Sequence, residues 1–156
     1  MNDRPEMKSL ILWFISASLI PPVTMAAPAP TRVGQCSNSF VQEVSSRFGA
    51  RVGEFGSENS SLILTNGLGV YLYRKLRMSS APGWGISNQS ESISFGHAVG
   101  MYRANDKVKV CLEYIPTDCD YHQRLGDRRG EIYYISNYRN NETAFGHYGR
   151  NGCGLA

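Results

Sequence analysis

An even number of cysteines constrains the fold of this chain more than any other feature of its sequence. The four are Cys36, Cys111, Cys119 and Cys153. In an exported chain such a count indicates two disulfides, for which three pairings are open. We favour Cys111–Cys119, which closes a short loop around Pro116, together with Cys36–Cys153, which joins the two ends of the domain. The spacing lacks the C-x-x-C of a redox pair and the close Cys/His pairs of a zinc site, so we expect no metal and no cofactor.

The N-terminus indicates export. Residues 9–20, SLILWFISASLI, form an apolar run after a short polar start. This run is too short to cross a bilayer, which takes about 20 apolar residues. Thr24 and Ala26 suit the minus-three and minus-one positions of a signal-peptide cleavage site. We therefore predict a signal peptide over 1–26, a flexible Pro-rich lead-in over 27–35 and a single domain over 36–156, with no membrane span after cleavage. The predicted location is the periplasm or the outside of the cell.

One helix is predicted, at the start of the domain. In SNSFVQEVSSRFGA, residues 37–50, one helical face carries Phe40, Val41, Val44 and Phe48. Ser39 and Gln42 have the spacing of a capping box. The helix is expected to end at Gly49.

The rest of the chain has the pattern of strands. Residues 61–75, SLILTNGLGVYLYRK, are typical of a hairpin around Asn66-Gly67. Residues 107–115, KVKVCLEYI, alternate apolar and polar side chains, which predicts a strand with one buried face. Residues 131–148 indicate a second hairpin with its turn near Asn140-Asn141. Residues 92–103 are compatible with either a strand or a short helical turn.

These elements predict an α+β domain. One N-terminal helix would pack on a small, mostly antiparallel β-sheet or partly closed barrel, stapled by two disulfides. The formal net charge is +3, which solvation alone accounts for and which demands neither nucleic acid nor a membrane surface. The sequence contains no Gly-rich phosphate loop, no dinucleotide fingerprint and no G-x-S-x-G elbow.

Three groups of residues are candidates for function. Glu113 lies on the polar face of its strand, where a rigidly held carboxylate can act as a general base or can simply be solvated. Arg124 and Arg128 flank a Gly-Asp turn and can hold an anion or belong to a charged turn. His147 near the C-terminus can exchange protons near neutral pH. Trp84, in the loop APGWGIS, can contact a partner or a glycan, or fold back over the core.

The order Glu113-Tyr114, Arg124, Arg128, His147-Tyr148 resembles that of small secreted microbial guanyl-specific ribonucleases. The resemblance implies Glu113 as base, His147 as acid and the two arginines on phosphate, so that nucleic acid would be the substrate.

A second resemblance rests on VCLEYIPTDC, GDRRGEIYYISNYR and the terminal CGLA. These segments are similar to a group of small exported bacterial proteins without assigned function, and the similarity supports disulfides while adding no activity.

The leading hypothesis is a non-enzymatic exported protein that binds a protein or a glycan of the cell envelope. An inhibitor or immunity partner of a cell-wall-degrading enzyme is one form of it. The alternative is the secreted ribonuclease.

Overall fold

The computed structural model describes residues 26–46, 49–77, 89–116 and 128–149, and within these ranges the chain is mostly β-structure. The elements in chain order are β1 (Cys36–Ser46), β2 (Ser60–Leu64), β3 (Gly69–Lys75), β4 (Glu91–Ser92), α1 (Phe95–Met101), β5 (Lys107–Tyr114), β6 (Ile132–Asn137) and β7 (Thr143–Tyr148).

Six strands form a closed antiparallel barrel in the order β2-β1-β5-β6-β7-β3. The barrel closes because β3 pairs with β2 on one side and with β7 on the other. The two-residue strand β4 pairs with the end of β3. The interior is filled by aliphatic side chains from every long strand, among them Val41, Leu62, Leu72, Val110 and Ile135.

Both predicted hairpins and the alternating strand are confirmed. The first hairpin joins β2 to β3, and Gly67 in its turn has a φ of 83°, which favours glycine. The second joins β6 to β7, with Asn141 in its turn at a φ of 60°. In β5, Val108, Val110 and Leu112 point into the barrel and are completely buried.

The predicted N-terminal helix is wrong, because residues 36–46 of that segment form β1. A β-bulge between Val41 and Glu43 explains the error. The extra residue shifts the inward phase of the strand, so that Val41 and Val44 both turn toward the core although they are three residues apart. Spacing of three is also what a helix shows, whereas Phe40, Val41 and Val44 are residue types that favour a strand.

The favoured disulfide pairing is also wrong, because Cys36 is bonded to Cys111. The two residues are directly opposite each other on β1 and β5, and both are on the outward face. Because this bond uses both Cys36 and Cys111, it excludes the predicted pairs Cys111–Cys119 and Cys36–Cys153. Cys119 and Cys153 lie outside the described residues, as do the predicted signal peptide up to residue 25 and most of the predicted loop after β3.

The ambiguous segment over residues 92–103 contains α1, a short helix that covers one end of the barrel. Its Ala98 and Met101 are buried in the core. The carbonyl oxygen of Met101, at the helix end, accepts hydrogen bonds from Asn137 at 2.8 Å and Asn140 at 2.9 Å. The α+β prediction is therefore correct for the antiparallel sheet closed into a barrel, while the helix is short and lies in the middle of the chain.

Asp106 anchors the same end of the barrel. Its carboxylate accepts two hydrogen bonds from Arg139, at 2.8 and 2.9 Å, and one from Asn137 at 2.7 Å. The bond from Arg139 lowers the pKa of Asp106; partial burial opposes this, but the bonds from Asn137 and from the backbone N–H of Arg103 act in the same direction as Arg139. Within the described ranges, no helix has the length and apolar character needed to cross a membrane.

Candidate functional site

Glu113 and His147 lie toward the same end of the barrel but in different environments. Glu113 is exposed at the end of β5, beside the bulge that precedes Tyr114. His147 lies in β7, and Ile132 of β6 sits between them in register, opposite Tyr114 on one side and His147 on the other. His147 is only 1% exposed. An acid that protonates a leaving group on a large substrate has to reach that substrate.

The His147 imidazole is buried in the protein. Burial lowers its pKa, and a backbone hydrogen bond with Gly149 offsets part of that effect. Among the residues that the structure describes, none is a hydrogen-bond partner of its Nε2 atom. The ring is therefore expected to be neutral at neutral pH.

Arg128 is engaged in the structure of the barrel. Its Nε donates to Glu131 at 2.9 Å, and its guanidinium lies 5.5 Å from the centre of the Tyr133 ring. A second nitrogen donates to the carbonyl of Pro30, and Tyr133 donates to Glu131. Burial alone would lower the pKa of Arg128, but the hydrogen bond and charge of Glu131 leave it raised. Phosphate binding would have to compete with these contacts.

Arg124 and Trp84 lie outside the described residues. The structure therefore pairs Arg128 with the buried carboxylate of Glu131. A phosphate site built from Arg124 and Arg128 is not tested by the described residues. The ribonuclease arrangement stays a prediction.

Aromatic side chains cover the outward face of β3, β7 and β6. Val70 and Leu72 of β3 point into the core, so the alternating Tyr71 and Tyr73 point outward. Tyr73 is in register with Phe145 on β7, and Phe145 is in register with Tyr134 on β6. The rings of Tyr134 and Phe145 meet edge to face, with centroids 5.9 Å apart. The row of Tyr73, Phe145 and Tyr134 ends at the Cys36–Cys111 disulfide, because Tyr134 is opposite Cys111.

Beside this row lies a groove of about 450 Å³ between the β2–β3 hairpin and the end of β7. We call it the tyrosine groove. The side chains that line it are Ser61, Ile63, Val70, Tyr71 and Tyr148, with the glycines Gly67, Gly69 and Gly149. None of these carries a charge. The volume falls within the range of small-ligand sites, about 300–1,000 Å³.

A second opening, of about 410 Å³, lies near the other end of β3, between β4 and α1. We call it the polar cleft. It is lined by Glu58, Arg74, Glu91 and His97, together with the segment 92–94. A guanidinium nitrogen of Arg74 lies 2.9 Å from Nε2 of His97. Because arginine only donates, Nε2 is the acceptor in this contact.

The two carboxylates of the polar cleft have partners of their own. Glu91 lies 3.7 Å from the ammonium of Lys75, and Glu58 accepts the backbone N–H of Gly56 at 2.9 Å. No group of three or more His, Cys, Asp or Glu side chains among the described residues could hold a metal ion.

Sequence patterns predict only part of these two sites. The alternation Val70-Tyr71-Leu72-Tyr73 indicates that one pair faces outward, and the tyrosines are that pair. Tyr148 joins Tyr71 only because β7 pairs with β3, which no local pattern predicts. Arg74 and His97 are 23 residues apart, and the register that joins β4 to β3 brings them together.

Comparison of the chain with models of known protein families, with curated proteins and with solved structures finds no match. The fold and the two sites define a small, disulfide-bonded antiparallel barrel with an uncharged aromatic groove and a separate polar cleft.

Proposed function

We propose that this chain is an exported, non-enzymatic binding domain whose tyrosine groove takes a sugar unit of a cell-envelope glycan. The observation that carries the proposal is the chemistry of the groove: two tyrosines, a serine hydroxyl and a glycine-rich wall without a charged side chain. Tyrosine offers an apolar ring for the C–H face of a sugar and a hydroxyl for its polar rim.

The uncharged lining of the groove favours a sugar over a nucleic acid as its ligand. Binding to a phosphate backbone depends on lysine and arginine, and the residues lining the groove include neither. A neutral polyol has no such requirement. The glycines keep the wall low, so that a flat ring can approach the backbone closely.

The disulfide supports the exported location. Such bonds form and persist in the periplasm and outside the cell and are rare in the cytosol. The bond lies at the end of the aromatic row, where it joins β1 to β5, the strand that pairs with Tyr134 of β6.

The test is a calorimetric titration of the full chain with soluble cell-wall fragments. Replacing Tyr71 by Ala should weaken binding about tenfold, or ~1.4 kcal/mol. Tyr71→Phe, which keeps the ring, should retain most of the affinity. Tyr138→Ala is the control, because Tyr138 is 53% exposed in the β6–β7 turn, outside the groove.

Equal affinity of Tyr71→Ala and wild type would refute the groove as the site. If wild type binds no fragment but inhibits a cell-wall-degrading enzyme, the partner is a protein and the glycan proposal fails. Cleavage of RNA that is lost in both His147→Ala and Glu113→Gln, with each variant still folded, would instead establish the ribonuclease alternative.

A further inference from the structure

The polar cleft is a second site, independent of the tyrosine groove. We propose that it binds a small zwitterion, an amino acid or the free end of a short peptide, with its carboxylate on Arg74 and its ammonium beside Glu58 and Glu91.

Arg74 is the group of the cleft that can bind a carboxylate. A guanidinium has five N–H donors, and arginine usually pairs with a carboxylate where one is within reach. In the described ranges the hydrogen-bond partner of the Arg74 side chain is the imidazole of His97. No carboxylate of the described residues forms an ion pair with Arg74, although Glu58 and Glu91 line the same cleft.

The carboxylates of Glu58 and Glu91 have partners other than Arg74. Glu58 is held toward its own loop by the N–H of Gly56, and the hydroxyl of Ser92 donates to the Glu58 carbonyl. Glu91 lies beside Lys75, its cross-strand partner on β3. The two signs of charge thus remain separated within one cleft, and a ligand with both signs can bridge them.

The two carboxylates that line the cleft determine which anion can bind there. Two carboxylates in the wall disfavour a phosphate, which carries up to two negative charges, more than they disfavour a single carboxylate. An ammonium on the same ligand turns this repulsion into attraction. A cleft of about 410 Å³ is large enough for an amino acid or a dipeptide.

The elements that form the cleft hold it in place. Ile93 donates its N–H to the Leu72 carbonyl and accepts the hydroxyl of Ser60 at 2.7 Å, which fixes the segment after β4. Phe95 donates its N–H to Ser57, which fixes the start of α1. The side chains at the cleft therefore project from backbone that is held on both sides.

The experiment is an NMR titration of the ¹⁵N-labelled full chain with alanyl-alanine, and separately with acetate, methylammonium and inorganic phosphate. Saturable shifts are expected for amides near Glu58, Arg74 and residues 91–97. Alanyl-alanine should bind at least tenfold more tightly than acetate, methylammonium or phosphate.

Arg74→Gln should abolish saturation by alanyl-alanine. Arg77→Gln is the matched control, because it removes the same charge three residues further along the chain, outside the lining of the cleft. Thermal unfolding of both variants shows that each is folded, since both arginines are exposed.

Three results would overturn the proposal. They are the absence of saturable shifts with alanyl-alanine, equal loss in both arginine variants, and binding of phosphate or acetate as tight as that of the dipeptide. The proposal does not depend on the tyrosine groove, so Tyr71→Ala should leave the dipeptide titration unchanged.

Discussion

Removal of the Cys36–Cys111 disulfide should destabilise the barrel strongly. The bond closes a loop with a sequence separation of 75 residues. In the chain-entropy treatment, a cross-link of that span restricts the unfolded chain by about 4.5 kcal/mol at 25 °C. Engineered and native bonds often contribute less, so we expect a loss of about 3–4.5 kcal/mol for the variant Cys36→Ala with Cys111→Ala.

The assay is urea unfolding followed by circular dichroism in non-reducing buffer. The control is Asn38→Ala with Lys109→Ala, because Asn38 and Lys109 face each other on the same two strands, one outward pair further along. That variant removes a cross-strand contact without a cross-link and should change the free energy of unfolding by about 1 kcal/mol or less.

A loss below about 1 kcal/mol in the cysteine variant would refute the reasoning. If that variant does not fold at all, the pairing is tested on wild type instead. Proteolysis without reductant should yield one linked pair of peptides that contains Cys36 and Cys111. A linked pair that joins Cys36 to Cys153 would contradict the register of β1 and β5.

Two further predictions concern pH. The pKa of His147 is lowered on folding, so the unfolded chain binds a proton first; stability should fall as the pH drops below about 6.5 and stop falling below the folded pKa. Melting temperatures between pH 7.5 and 5 should show this loss in wild type and in His97→Gln, and a loss unchanged in His147→Leu would contradict it. The pKa of Asp106 is lowered on folding, so its contribution is complete above about pH 4 and is lost as the pH falls toward the folded pKa. Urea unfolding at pH 7 and pH 3 should show Asp106→Asn less stable than wild type at pH 7, and by a smaller margin at pH 3; an equal deficit at both values would contradict the assignment.

The strands with a local pattern could be predicted from the sequence. The hairpin around Asn66-Gly67 and the alternation in β5 both depend on neighbours within a few residues, and both are confirmed. β1 could not be predicted, because its bulge moves the inward positions out of a period of two. A sequence pattern does not reveal a bulge unless the partner strand is known.

The disulfide and the two sites depend on register between distant strands. Cys111 is eight residues from Cys119 and far from Cys36, so chain distance favoured the wrong pair. Cys36 meets Cys111 because β1 and β5 are neighbours in the barrel. Arg74 and His97 meet for a comparable reason, and neither has a local signal for a binding role.

The position of β7 in the barrel has a consequence for how the protein is made. This strand is the last of the seven that the structure describes, yet it lies between β6 and β3 and pairs with both. Until residues 143–148 have been synthesised, β6 and β3 are the two open edges of an unfinished sheet, and such edges pair readily with other chains. A stop codon shortly before residue 143 would leave the first six strands in place but remove the one that closes the barrel. Its product would be an aggregating open sheet.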